Sequence, residues 1–580
     1  VILLEHLLLD AGEALGFSAA RDIQTLWSRY DKEGMPFLTI ALPRLDDLLV
    51  AGLRDGRLPS FEGWSSRCSY PEFLNGIWSK IFAPDGEILS NPSILAIRFL
   101  RQISRLHKKI FEVCESERVD AEIQQFVSTD KSLMSRAEVR AAIDPYARSA
   151  AQLLFGELIG KALLTIEDGK HGPGAVSERF GANERWSFDS ISYNIESLVG
   201  PEYFRTSWFD LLERPPSTKE VPARLVAVPK TAVKPRLISI EPSYNQFVQQ
   251  ALQLRLKALL ESGDFACSYT HQHHNQRMAL EGSIDGLVAT MDLSEASDRV
   301  SLALVEELFG FNPQFIRYLK LSRSRFVELP DGGLVLLNKF ASMGSALTFP
   351  VESMVFLTLV VTVLCRRQGD FRPRTVKRYR KRSSTLSIYG DDIIIPVDAY
   401  PDVVRSLTSL GMKVNDSKSF PRGKFRESCG TDAYDGRVVT PAYARAYLPK
   451  SRANSNELVK ASALRNQLYE RYGVLTPRTI YFLDSLIGRL VKYPAIPYGM
   501  AGIGRWSDEP DYSFCRWNPT LFRREWHLPT LVETKRRDPI DSYSALSKSL
   551  RTSLNEDPDH LTFAGRPVAT KIHYRWCAEV

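Results

Sequence analysis

Apolar residues return every three to four positions through residues 93–113 and again through residues 136–164, the period of helices that bury one stripe. The opening VILLEHLLLDAGEALG sets Glu5, His6 and Asp10 among its leucines, which predicts an amphipathic helix rather than a secretory leader. Residues 1–165 are therefore expected to be largely helical. The chain opens on Val1 rather than Met, as expected of a start that is missing or processed. DGKHGPG, residues 168–174, breaks the pattern and predicts a loop. A Pro- and Lys-rich section, residues 214–236, then runs into an expected helix at residues 243–260.

From residue 287 to 396 strand and helix patterns alternate, the mark of a mixed α and β core. Residues 287–291 read as a strand with Asp292 at its end; Ser297 or Asp298 is expected to cap a helix carrying Val300, Leu304, Val305 and Leu308. Residues 353–365 form an apolar run of 13, short of the roughly 20 residues that cross a bilayer, and predict a buried helix. From residue 441 the chain turns rich in Arg, Tyr, Trp and Pro, with helices expected at residues 456–472 and 480–491 in a separate, mostly helical or irregular region. No internal repeat is visible.

The stretch SIYGDDIIIP, residues 387–396, carries the sharpest chemistry. Residues 386–389 and 393–397 read as strands joined by a tight turn at Gly390 and Asp391. Adjacent carboxylates repel and resist desolvation, so Asp391 and Asp392 stay ionised only where water or a cation compensates them. If the strand ending at Asp292 pairs with this hairpin, Asp292, Asp391 and Asp392 meet at one point and suit a pair of divalent ions about 4 Å apart. The alternative is that the two acids only form the turn.

Composition narrows the classes. At 580 residues, 44% apolar and 25% charged, the chain is neither disordered nor fibrous. A net charge of +7 suits a polyanionic partner without requiring one. Seven cysteines without a CxxC pair argue for a reducing compartment and against a zinc site or disulfide framework.

DLSEASDRVS, SMGSALTFPVES and YGDD stand in the order of motifs A, B and C of viral RNA-dependent RNA polymerases. Together with VPKTAVKPRLISIEP, NQRMALEGS and KFRESCG they resemble the catalytic (beta) subunit of the single-stranded RNA phage (levivirus) replicases, over residues 221–441 above all. The resemblance implies an α+β right-hand polymerase fold of fingers, palm (an antiparallel sheet with the GDD hairpin) and thumb. The expected division is 1–220, N-terminal region and fingers; 221–285, fingers with a basic NTP-entry motif; 286–445, palm; 446–580, thumb and C-terminal region. It also implies template-directed RNA synthesis with two Mg²⁺ ions, or Mn²⁺ in their place, and initiation without a primer on a C-rich 3′ end. Implied partners are RNA template and product, NTPs, host elongation factors Tu and Ts and a host ribosomal protein, in the cytoplasm of an infected bacterium and with no membrane.

Site residues follow motif by motif. Asp292, Asp391 and Asp392 are the expected catalytic metal ligands. Lys230 and Arg236 are expected to clamp the NTP triphosphate, with Lys234 more simply a solvated cation and Arg224 a weaker candidate. Gly344 would let the backbone approach template or nucleotide; Ser342, Ser345 and Thr348 would reach ribose hydroxyls or the carboxylate that senses them. Asp298 would be that carboxylate, or a helix cap; Glu352 would read the ribose, or be a structural acid. Lys418, with Lys413 as alternative, would face the leaving pyrophosphate. His171 would touch template or merely mark a turn, and His271, His273 and His274 would lie in a loop. Residues 366–384 depart from the family with nine Lys or Arg and one acid. Arg378, Arg380, Lys381 and Arg382 there are expected to form a secondary RNA or partner surface away from the metals, or a solvated basic loop.

Overall fold

A computed structural model of the chain describes residues 1–66, 68–110, 114–164, 169–172, 174–188, 191–199, 220–263, 265–535, 537–538, 540, 542–551, 561 and 567–579. The fold is α+β, with helices from both halves of the chain around small, mostly antiparallel sheets. At its centre lies a three-stranded antiparallel sheet in the order Val288–Met291, Asp392–Pro396, Ser387–Tyr389. Val288 to Met291 are all buried, as are Ile393, Ile394 and Ile395, so apolar side chains leave on both faces and the strands read as continuous apolar runs. The helix Thr348–Gln368 packs behind them. At 21 residues it exceeds the expected 13 and is long and apolar enough to cross a membrane, yet 83% of its most apolar window is buried inside the protein. That burial makes it the central core helix.

Two apolar cores are the largest among the described residues. One joins the central sheet and its long helix to Ala147–Leu164, Ser243–Ser262 and Leu302–Phe309. The other joins the N-terminal helices, up to about residue 110, to residues 420–483. A buried ion network ties that second core together: Arg101 lies 2.9 Å from Asp46 and 3.2 Å from Asp432, and Arg105 lies 2.8 Å from Asp46. Asp10 fixes the first helix to the C-terminal half by accepting from the Arg478 N–H (3.1 Å), the Thr479 N–H (2.9 Å) and the Thr479 hydroxyl (2.7 Å).

Several expectations are corrected. The helical stretch at residues 136–164 is two helices, Arg136–Ala142 and Ala147–Leu164, because Pro145 bars Asp144 from helical geometry. Ser301 caps Leu302–Phe309, its hydroxyl accepting from the Leu304 N–H at 3.1 Å, so neither Ser297 nor Asp298 is that cap. His273 and His274 lie in the first turn of the helix Gln272–Asp285 rather than in a loop. His171 neither marks a turn nor faces outward: its ring packs against Trp186, Phe188 and Phe247 at 4.8, 5.7 and 5.4 Å. Asp168 and Pro173 of that loop, and most of residues 214–236 before Glu220, lie outside the described residues.

The C-terminal region differs most. Instead of helical or irregular structure it ends in a three-stranded antiparallel sheet of Cys515–Asn518, Arg523–Lys535 and Pro567–Ala578. Its middle strand contains Pro529, which argues against a strand on pattern alone. Cys515–Asn518 pairs only with residues 523–526, so Pro529 lies where that side of the strand needs no donor.

His107 is buried and His171 half-buried, and desolvation first, with positive neighbours second, lowers each imidazole to about 3. The native state then binds fewer protons than the unfolded chain below the ordinary histidine range. Stability from these two groups is present above about pH 6.5 and is lost as pH falls towards 3, by up to about 1.4 kcal/mol per pH unit for each. Urea unfolding at pH 7 and pH 5 is expected to show a lower midpoint at pH 5, with the difference reduced in His107→Gln.

Candidate active site

The site is built by register. Met291 pairs with Ile393 and Tyr389 with Asp392. Asp292 therefore leaves its strand beside Asp392, while Gly390 and Asp391 make a two-residue turn. Gly390 takes φ +61°, which the first position of such a turn requires, and any Cβ there would stand 2.5 Å from the Phe349 ring. The Ser353 hydroxyl of the long helix accepts from the Gly390 N–H at 3.1 Å and fixes the turn on the core.

The three carboxylates feel one another. Burial, then the charge of Asp292, raises Asp391 above the usual carboxylate range; burial, then Asp391, pushes Asp392 up to about 6. Asp292 is held from outside the hairpin. Asn415, just past the strand Lys413–Val414, donates its side-chain amide to Asp292 Oδ2 and its N–H to the Asp292 carbonyl, both at 2.9 Å. Lys418 Nζ stands 3.6 Å from the same Oδ2. Burial works against the Lys418 charge, but Asp292, Glu427, Asp391 and Asp392 together raise it above its ordinary value. Among the described residues no group of three or more His, Cys, Asp or Glu side chains stands close enough to cage an ion. The acids share an open edge with cations instead.

Lys230 and Arg236 bracket the turn of the hairpin formed by Ala223–Val228 and Arg236–Ile240, and both are exposed. Desolvation, then Arg236 and Lys418, lowers Lys230, while Asp292 and Asp391 work the other way. Lys230 and Lys418 thus face the carboxylates as a cationic rim, with Arg236 beside Lys230. Lys234 is tied elsewhere, 2.8 Å from Glu122. Arg224 lies within its strand, opposite Ile240.

The remaining expected nucleotide contacts are engaged by the protein. Asp298 pairs at 3.0 Å with Lys339, a fully buried lysine that also lies 3.9 Å from Asp130 and 3.4 Å above the Phe126 ring. The Ser345 hydroxyl donates to Gln249 Oε1 at 3.0 Å and the Thr348 hydroxyl to the Ser342 carbonyl at 2.7 Å. Gly344, at φ +125°, presses on the neighbouring strand, where a Cβ would come 2.1 Å from the Ser239 carbonyl oxygen. Glu352 lies under the hairpin, buried; burial, Asp391 and Asp298 hold it well above its ordinary range, and its Oε2 has no hydrogen-bond partner among the described residues.

Asn415 and Lys339 escaped sequence reasoning. Asn415 follows a two-residue strand with no periodic signal. Lys339 had one available, a lone cation inside the apolar LVLLNKFA. In the basic segment, Pro373–Arg378 is a helix whose Val376 is buried. Arg382 lies 3.4 Å from Glu261 and Arg380 3.9 Å from Glu157, whereas Arg378 and Lys381 carry no ion pair among the described residues.

Comparison with known proteins places this geometry in a family. Residues 214–527 match the family described as RNA replicase, beta-chain. The RNA-directed RNA polymerase subunit beta of Escherichia virus Qbeta is 39% identical over 351 residues, covering 59% of this chain and 55% of that protein. The corresponding subunit of Enterobacteria phage SP is 35% identical over 361 residues, 60% of this chain and 58% of that one. The RNA-directed RNA polymerase beta chain of Escherichia phage MS2 is 35% identical over 218 residues, 38% of this chain and 37% of that one. The chain thus spans about half the length of the first two of these curated relatives. Among solved structures, the RNA-dependent RNA polymerase of a human picorbirnavirus aligns at 13% identity with a TM-score of 0.41, over 68% of this chain and 78% of that one. The matched segment contains the carboxylate edge, its cationic rim and the long helix beneath them, and the chain belongs to the RNA replicase beta-chain family.

Proposed function

We propose that this chain is an RNA-directed RNA polymerase that copies a viral single-stranded RNA by nucleotidyl transfer from NTPs. The observation that carries the reading is the register that sets Asp292 beside the Asp391–Asp392 turn with Lys230 and Lys418 facing them and Arg236 beside Lys230. The family match and the names of the relatives support it.

The oxygen-only set Asp292, Asp391 and Asp392 fits hard divalent cations, because two of its members are raised by burial and mutual repulsion that a cation would relieve. Two Mg²⁺ ions, or Mn²⁺, held there would acidify the attacking 3′-hydroxyl and neutralise the leaving pyrophosphate. The rest falls to the chain. Asn415 keeps the Asp292 carboxylate in one orientation. Lys230 and Arg236 draw in and orient the triphosphate, and Lys418 stands ready to give a proton to the departing pyrophosphate. Asp298, braced by Lys339, meets the ribose hydroxyls, and Ser345 and Thr348 hold the loop that shapes that side. Glu352, which burial and then Asp391 and Asp298 hold well above its ordinary range, lies beneath the hairpin.

On the same reading initiation needs no primer, the enzyme works in the cytoplasm of an infected bacterium, and it assembles with elongation factors Tu and Ts and a ribosomal protein of the host. These rest on the family resemblance.

Purified chain, alone and with bacterial extract, is expected to extend a primed RNA template with Mg²⁺ and NTPs but not dNTPs, and Asp391→Asn is expected to abolish extension. Preference for dNTPs, or full activity in Asp391→Asn, contradicts the reading. Asn415→Ala is expected to lower the incorporation rate by about tenfold with little change in the KM for NTP, since it loosens Asp292 without touching the cationic rim. Single-turnover kinetics measures both.

A further inference from the structure

The C-terminal sheet carries a feature that the polymerase reading does not use. His527 and Trp576 are a cross-strand pair, and on their face the rings form a row. The Arg516 guanidinium lies 3.9 Å from the Trp576 ring centre, His527 stacks on Trp576 at 4.9 Å with 29° between planes, Tyr574 follows His527 at 5.7 Å, and the Arg452 guanidinium lies 5.6 Å from Tyr574. Two cations thus close the ends of a row of three aromatic rings. The row is open to solvent: Trp576 is 40% exposed. Covering the core falls to Trp526 and Leu528, both fully buried and alternating with His527 along the same strand.

Charge favours a polyanion here. The three strands carry Arg516, Arg523, Arg524, Lys535, Lys571 and Arg575 against Glu525 and Glu533 only. Glu525 is shared by Arg516 (2.9 Å) and Arg523 (3.2 Å), which leaves the sheet positive. An acidic protein would satisfy the charge but has no use for a row of flat rings. Unpaired bases have: they stack on aromatic faces and guanidinium planes while cations between them take the phosphates. Trp576 and Tyr574 also lie beyond residue 527, where the family match ends.

We propose that this face of the C-terminal sheet binds single-stranded RNA by base stacking, with Trp576 and His527 as the platform and Arg516 and Arg452 at its ends. It is a site apart from the carboxylate edge and goes beyond the polymerase reading, since binding here needs no turnover.

The test uses the full chain and fluorescein-labelled RNA, single-stranded and duplex, followed by anisotropy at fixed salt. Trp576→Ala is expected to weaken single-strand binding about tenfold, to leave duplex binding unchanged and to retain nucleotide incorporation on a short primed template. Trp576→Phe, which keeps a stacking ring, is expected to bind within about twofold of wild type. Unchanged single-strand affinity in Trp576→Ala overturns the proposal, and so does equal loss for single strand and duplex. A Phe variant as weak as Ala also overturns it, because a structural role would then explain both. Failure of the polymerase reading would show instead as absent incorporation in wild type with this binding pattern intact.

Discussion

Everything in the site depends on one antiparallel register. Pairing Met291 with Ile393 and Tyr389 with Asp392 is a backbone matter, settled by apolar side chains buried on both faces of the sheet. A slip of one residue would turn every side chain to the other face. Its consequence is electrostatic: Asp292, Asp391 and Asp392 come near enough to act on one another's charge, and desolvation and repulsion raise Asp391 and Asp392. The core supplies the energy that holds like charges together, and the surroundings respond with cations from two separate segments, at Lys230 and Lys418.

The supports of this edge come from far along the chain. The long helix gives Ser353 to the turn, the segment after Lys413–Val414 gives Asn415 to Asp292, and Ser428, beside the turn at Cys429, donates to Asp392 Oδ1 at 3.4 Å. The strand that ends in Ser428 is joined to Thr431–Tyr434, whose Asp432 belongs to the buried network with Arg101 and Asp46. The N-terminal helices are thereby coupled to the central strands. Removing one partner of such a fully buried pair costs about 3–5 kcal/mol, so these distant helices bear on the stability of the edge itself.

Much of this was legible before the structure. Continuous apolar runs marked the central strands, Gly390 marked their turn, and the position of Asp292 at a strand end followed from the same pattern. The long helix was legible as buried, although its first and last turns, outside the apolar run, were not. What stayed hidden depended on contacts without a local period. The brace on Asp298 was hidden because nothing in its neighbourhood points to Lys339, which lies 41 residues away. The C-terminal sheet was missed because charged residues and Pro529 blur its alternation, and only the short reach of Cys515–Asn518 makes that proline acceptable. The basic segment was read as one surface, whereas Arg380 and Arg382 turn back to Glu157 and Glu261.

The central claim is that Asp292, Asp391 and Asp392 form one divalent-cation site. Manganese binding to the full chain, followed by electron paramagnetic resonance in the absence of nucleotide and RNA, tests it without reference to turnover. The account predicts saturable binding that is weakened in Asp292→Asn and in Asp392→Asn alike, because each removes a ligand of the same site. Binding that is indifferent to both substitutions, or lost in one and intact in the other, would contradict it.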